Sequence, residues 1–107
     1  MFGINMPKIT PFQKRVYDAV SKIPLGSVAT YGEIAEQIGC RSAQAVGQAL
    51  RKNPFAPVVP CHRVVASDGS IGGFYGQTEG PEIERKRMML EDEGVEFDEK
   101  GRVIRNR

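Results

Sequence analysis

Cysteine and histidine are scarce in this sequence: Cys40, Cys61 and His62 are all there is of either among 107 residues. Two thiols cannot build a disulfide framework, and one imidazole gives no ligand set at zinc spacing, so neither a metal nor another cofactor is expected. Long apolar runs are missing as well. None approaches the roughly 18 to 20 residues that span a bilayer, and Met1 to Ile9 lacks the charged start and apolar stretch of a secretory leader. The expectation is a cytoplasmic, intracellular chain without a membrane partner. Its net charge of +2 says little about a polyanionic partner, and 40% hydrophobic with 26% charged residues excludes both disorder and a fibrous repeat. The length fits one small domain over 1–107. In a reducing compartment both thiols are free, each a core filler or a nucleophile.

Charge distribution says more than the sum. No acidic residue stands between Glu36 and Asp68, whereas Arg41, Arg51, Lys52 and Arg63 do. That window is the electrostatic candidate for a polyanion. From Pro81 to Arg107 eight acids face seven bases, the pattern of a solvated, salt-bridged surface.

Thr10-Pro11-Phe12-Gln13 combines an N-cap, proline at the first helical position and a capping-box glutamine. Phe12, Val16, Val20 and Ile23 follow as an apolar stripe that ends at Pro24-Leu25-Gly26. Thr30-Tyr31-Gly32-Glu33 repeats the box, with Ile34, Ala35 and Ile38 inward and Gly39 as the stop. Ser42 caps a third helix to about Lys52, with Ala43, Val46, Ala49 and Leu50 inward. The last two helices form a helix-turn-helix over about 31–52. The small residues Ala43, Ala45, Gly47 and Ala49 suit close approach to another helix or to a DNA groove.

Pro54 and Pro57 exclude a regular helix from the active-site loop at 53–65, which is expected to run extended into Val58-Val59-Pro60. Val64-Val65, a turn at Ser67-Asp68-Gly69-Ser70 and a return strand from Ile71 predict a wing-like hairpin over 64–76. A last helix fits about Glu82 to Asp92, with Ile83, Met89 and Leu90 inward, and Val95 to Ile104 closes as a terminal hairpin. The expected fold is mainly α, a small winged helix-turn-helix-like domain with short β-hairpins.

Pro60-Cys61-His62-Arg63 sets the chain's one histidine directly after a cysteine, between two valine pairs. A nearby base raises the thiolate fraction that attacks electrophiles, and His62 is a candidate for that base. Adjacent residues on a regular strand point to opposite faces, so the pair needs irregular backbone or an intervening water. The plain alternative is a buried small hydrophobe beside a partly exposed imidazole. A catalytic imidazole also needs an orienting carboxylate, and spacing alone does not choose among Glu91, Asp92 and Glu93.

The run Asn53-Pro54, then Val58-Val59-Pro60-Cys61-His62-Arg63-Val64-Val65, resembles the active-site signature of the O6-alkylguanine-DNA alkyltransferases. Thr30 to Ala35 and Ala45 to Leu50 resemble that family's helix-turn-helix, and Met89 to Gly94 its last helix. The similarity spans roughly residues 10 to 95. It implies a DNA-repair methyltransferase that acts once, taking an alkyl group from guanine O6 in double-stranded DNA onto Cys61. His62 would be the water-mediated base, Glu93 its orienting carboxylate, Asn53 the brace of the loop, and Tyr31 the hydroxyl that donates to the departing base. The backbone around Val64 and the loop at Phe74, Tyr75 and Gly76 would form the base pocket. The third helix would enter the minor groove, with Arg41, Ser42, Gln44, Ala45, Gly47, Arg51 and Lys52 as its contacts.

Gln44 stands where the family commonly has an arginine that fills the gap left by the everted base, and Arg41 one turn earlier is the candidate compensation. Phe74 stands where tyrosine is frequent, and Tyr75 where a serine often holds the O6 side. Only about nine residues precede the first helix, so the catalytic module alone is expected, acting as a monomer. An alkyltransferase-like protein that binds the lesion without transfer is the alternative function. A winged-helix regulator with a redox-sensing Cys61 is a third, but it calls for dimerisation and sequence preference. Cys40 reads as a structural or partly exposed thiol, and Arg63 as an anchor for the loop or a phosphate.

Overall fold

A computed structural model describes residues 8–74 and 77–105. Helix α1 (Pro11–Val20) starts at the Thr10 capping box, where Gln13 closes the box on the Thr10 backbone. Strand β1 (Ala29–Thr30) runs directly into α2 (Tyr31–Gln37), whose box pairs Thr30 with Glu33. Each such cap stabilises its helix by about 1 kcal/mol. Gly39, at φ +72°, turns the chain after α2, and Ser42 caps α3 (Ala43–Arg51) through the Ala45 N–H. This is the expected helix-turn-helix, and α1 packs across both of its helices. Within α3, Val46, Ala49 and Leu50 are buried as expected, but Ala43 is exposed. It sits in the first turn, on the side that faces a cavity.

The chain from 53 to 60 does not run extended. Asn53 Nδ2 donates to the Val59 carbonyl (3.0 Å), the Phe55 N–H donates to Asn53 Oδ1 (2.9 Å), and the Val59 N–H returns to the Phe55 carbonyl. The buried Asn53 side chain thus folds the segment into a compact turn, with a cis bond at Ala56-Pro57. Two prolines exclude a helix without requiring extension, and a side chain that supplies both a donor and an acceptor makes the turn the better-satisfied choice.

A single turn of 3-10 helix (Cys61–Arg63) follows, then β2 (Val64–Val65). Among the described residues no return strand pairs with β2 to make the predicted wing. The turn at 67–70 closes, with the Ala66 N–H donating to the Ser70 carbonyl, but β2 pairs in parallel with β1, Ala29 opposite Val64 and Thr30 opposite Val65. Val64 and Val65 are both fully buried, which suits a strand covered on both faces better than an exposed hairpin. Gly72, at φ +74°, turns the chain away where a return strand would begin. Ser70 bridges instead to Arg102 of the terminal hairpin. That hairpin, β3 (Glu96–Phe97) against β4 (Val103–Ile104), forms as the sequence indicates, after α4 (Pro81–Asp92).

The main core joins α1, α2 and α3 to Val59, Cys61, Val64 and Phe74, and a smaller cluster of Val65, Leu90 and Val95 seats α4 and the hairpin. Among the described residues no helix is long and apolar enough to cross a membrane, and no group of three His, Cys, Asp or Glu is placed to hold a metal.

Candidate active site

Cys61 opens the 3-10 turn, buried at 6% exposure, on the wall of a cavity of about 480 Å³. The turn supplies the irregular backbone that a regular strand lacks, and it separates Cys61 from its neighbour. Among the described residues the Cys61 thiol makes no direct hydrogen bond to the His62 ring. His62, 3% exposed, joins Cys61 and Phe74 on the wall of a second cavity of about 220 Å³. Cys61 therefore stands between two spaces, with the imidazole on one side and the helix-turn-helix on the other.

Behind the thiol lies a charged network. His62 Nε2 lies 2.9 Å from Glu93 Oε2, the residue that caps α4 at its C-terminus. Arg63 grips the same carboxylate from Nε to Oε1 (2.8 Å) and from Nη2 to Oε2 (3.0 Å), and its Nη1 donates to the Ile23 carbonyl. The Arg63 hydrogen bonds, with help from His62, hold the Glu93 carboxyl below the usual carboxylate range. Of the three consecutive acids only Glu93 sits past the end of the helix, where the chain turns it back towards the 3-10 turn. Glu91 and Asp92 are exposed on the helix surface. Arg63 anchors the loop to Glu93 and Ile23, one of the two roles the sequence left open.

Tyr31, the first residue of α2, lines the larger cavity, and its hydroxyl donates to the Gly73 carbonyl (3.3 Å). Burial, together with the field of Cys61, pushes that phenol up from its ordinary value. Gln44, Gly47 and Arg51 of α3 line the same cavity, facing Phe74 across it. Gly47 lies close to the Tyr31 ring, which is 3.9 Å from where a Cβ would stand. Ala45 is half-buried and Ser42 is the N-cap of α3, while Arg41 and Lys52 are exposed at either end of that helix, outside the cavity wall. Asn53 is removed from the wall, within the turn it spans. Val64 does not line the cavity either: its side chain is fully buried, and its carbonyl accepts from Lys86. Tyr75 and Gly76 lie outside the described residues. Cys40 is half-buried in the interhelical turn, its sulfur accepting the Ser42 N–H at 3.3 Å.

Lys86 was not legible as part of this site. It is fully buried, with its Nζ bonded to the carbonyls of Val64 (2.8 Å), Ile71 (2.6 Å) and Gly73 (2.9 Å). Burial pulls its ammonium down to about 7. The available signal was its position, three residues after Ile83 and four before Leu90, on the inward stripe of α4.

Comparison with known proteins places this geometry among relatives. The family described as 6-O-methylguanine DNA methyltransferase, DNA binding domain, matches residues 11–95. A methylated-DNA–protein-cysteine methyltransferase of Methanothermobacter thermautotrophicus is 46% identical over 89 residues, which is 83% of this chain and 47% of that protein. The protein of the same name from Thermococcus kodakarensis is 47% identical, covering 86% of this chain and 49% of its own length. The chain thus spans about half the length of these curated relatives. Among solved structures, Mycobacterium tuberculosis OGT in complex with DNA superposes with a TM-score of 0.71 at 47% identity, over 80% of this chain and 51% of that one. S. pombe Atl1, in complex with damaged DNA containing O6-carboxymethylguanine, gives a TM-score of 0.73 at 36% identity, over 94% of this chain and 93% of its own.

Proposed function

Because the chain belongs to the 6-O-methylguanine DNA methyltransferase DNA-binding-domain family, we propose that it repairs DNA by moving an alkyl group from guanine O6 onto Cys61 in one irreversible turnover. The observation that carries this reading is the position of Cys61 on the wall of a cavity, with the His62–Glu93–Arg63 network directly behind it. Glu93 accepts from Nε2 of His62, which leaves Nδ1 to take the thiol proton through water. The thiolate then attacks the alkyl carbon. The carbon–sulfur bond forms as the carbon–O6 bond breaks, and the guanine leaves with the electron pair. The Tyr31 hydroxyl donates to the base as that charge develops. A thioether has no easy leaving group, so Cys61 stays alkylated.

The O6 atom is out of reach within a stacked duplex, so the nucleotide must swing out, at a cost of a few kcal/mol that is smaller for a damaged pair. In this reading α3 lies in the minor groove of double-stranded DNA, Gln44 occupies part of the gap, and Arg41, Arg51 and Lys52 contact phosphates. The protein acts as a monomer and, as a DNA-repair protein, inside the cell.

The test incubates the chain with a duplex that carries O6-methylguanine and measures intact mass. A gain of one CH2 unit located on Cys61, and absent from Cys61→Ala, is the expected result. The likeness to S. pombe Atl1 over nearly the full length of both chains gives the contrary outcome its meaning. Tight binding of the lesion at unchanged mass would replace transfer by lesion recognition alone.

A further inference from the structure

We infer that Lys86 is a positioning residue of the transfer reaction, a buried cationic clamp that fixes the loop walling the base cavity against the strand leaving the Cys61 turn. The inference rests on the alkyl-transfer reading above. An ammonium removed from water is expensive unless each of its three N–H groups finds an acceptor. Here every acceptor is a carbonyl, and the three come from two separate segments. Val64 follows the 3-10 turn that carries the thiol, while Ile71 and Gly73 belong to the loop that ends at Phe74. One side chain on α4 therefore joins the nucleophile's support to the cavity wall. Among the described residues no carboxylate pairs with Lys86, so its charge is not cancelled by a neighbouring acid.

The clamp also meets the hydroxyl assigned to the departing base. Gly73 O accepts both from Lys86 Nζ (2.9 Å) and from Tyr31 Oη (3.3 Å). The ammonium lies 5.9 Å from the Tyr31 ring centre and 6.0 Å from that of Phe74, within cation–π range of two rings that line the cavity. Between the clamped carbonyls of Ile71 and Gly73, Gly72 at φ +74° presses on the same ring: a Cβ there would stand 3.1 Å from Tyr31 Cε2. When Tyr31 turns its hydroxyl to the base it releases Gly73 O, and Lys86 is what holds that carbonyl in place. A negative charge at Cys61 would help Lys86 keep its proton.

The experiment measures single-turnover transfer at saturating O6-methylguanine duplex, and lesion affinity separately. The variants are Lys86→Met, similar in length and without donors, and Lys86→Gln, which keeps two N–H groups without the charge. Each is first checked for a cooperative thermal transition. We expect the bound-state rate of Lys86→Met to fall about 30-fold or more, since an ångström of misplacement carries up to roughly a hundredfold. Affinity should stay within about threefold, because the clamp does not touch the DNA-facing side of α3. Lys86→Gln should lose less. In a Tyr31→Phe background, which removes the hydroxyl that the clamped loop positions, the Lys86→Met loss should shrink by at least about threefold, a coupling that a merely structural lysine would not show. A folded Lys86→Met that transfers at the wild-type bound rate overturns the inference, as does an equal fold loss in both backgrounds. If Lys86→Met does not fold, Lys86→Gln at the wild-type rate overturns it equally. A wild-type chain that binds but never transfers would sink the transfer reading instead.

Discussion

At the residue scale, Glu93 holds three hydrogen bonds from two neighbours, His62 and Arg63, and its low carboxyl pKa makes that grip pH-dependent. A carboxylate held below its unfolded value of 4.5 adds stability that is complete above that value and is lost as pH falls through the folded one. Thermal midpoints followed from about pH 6 to about pH 3 should therefore drop more steeply for wild type than for Glu93→Gln. Equal slopes would show that the network is not what acid breaks. Lys86 has a dependence of the same sign in a higher pH window. Its pKa of about 7 lies below the ordinary 10.5, so between those values the unfolded chain binds more protons and stability rises with pH. Lys86→Met should flatten that rise, read as thermal midpoint against pH. Replacing His62 with alanine should slow transfer by about 10²-fold in single-turnover assays if its imidazole takes the thiol proton; an unchanged rate would remove it from the chemistry.

At the scale of elements, the capping box at Thr30 and Glu33 does two jobs, because the residue it places at the start of α2 is Tyr31. Thr30→Ala should lower stability by about 1 kcal/mol in denaturant titration, and it should slow transfer as well, since Tyr31 then starts a frayed turn. Helix existence was legible because caps, breakers and apolar stripes are local signals, and all four helices stand where those signals put them. The pairing of β1 with β2 was not. Two residues give no alternation to read, and the partner of a parallel strand is set by burial far away in sequence. The turn at 53–60 was hidden for a related reason: proline excludes structure without choosing its replacement, and the choice fell to hydrogen bonds of Asn53. Cys61 and His62 could be singled out as neighbours. Glu93 could be chosen only by resemblance, and Lys86 had only its place on the inward stripe of α4 to mark it, since a lysine in an acid- and base-rich segment looks solvated until its carbonyl acceptors are known.

For the whole molecule, three of the four bases of the acid-free window, Arg41, Arg51 and Lys52, lie exposed at the two ends of α3, whereas Arg63 is tied to Glu93 and Ile23. Replacing Arg41, Arg51 and Lys52 together by alanine should reduce the magnitude of the log-affinity against log-salt slope by about 2.7, near 0.9 for each phosphate left without its cation. Fluorescence anisotropy with labelled duplex over a salt series reads this directly, and an unchanged slope would move the DNA to another face. Arg41→Ala alone tests compensation for Gln44: undiminished affinity for lesion-bearing duplex would rule it out.

The parallel ladder is only two residues long, yet β1 delivers Tyr31 with no residue between, and β2 departs directly from the Cys61–Arg63 turn. It acts as a vernier between the two halves of the reaction centre. One notch of slippage would shift thiol against phenol by about 3.3 Å along the strand, more than a proton donor can stray and still reach its acceptor. An extra residue spliced in between Thr30 and Tyr31 should therefore leave a protein that keeps its helical circular dichroism but loses single-turnover transfer.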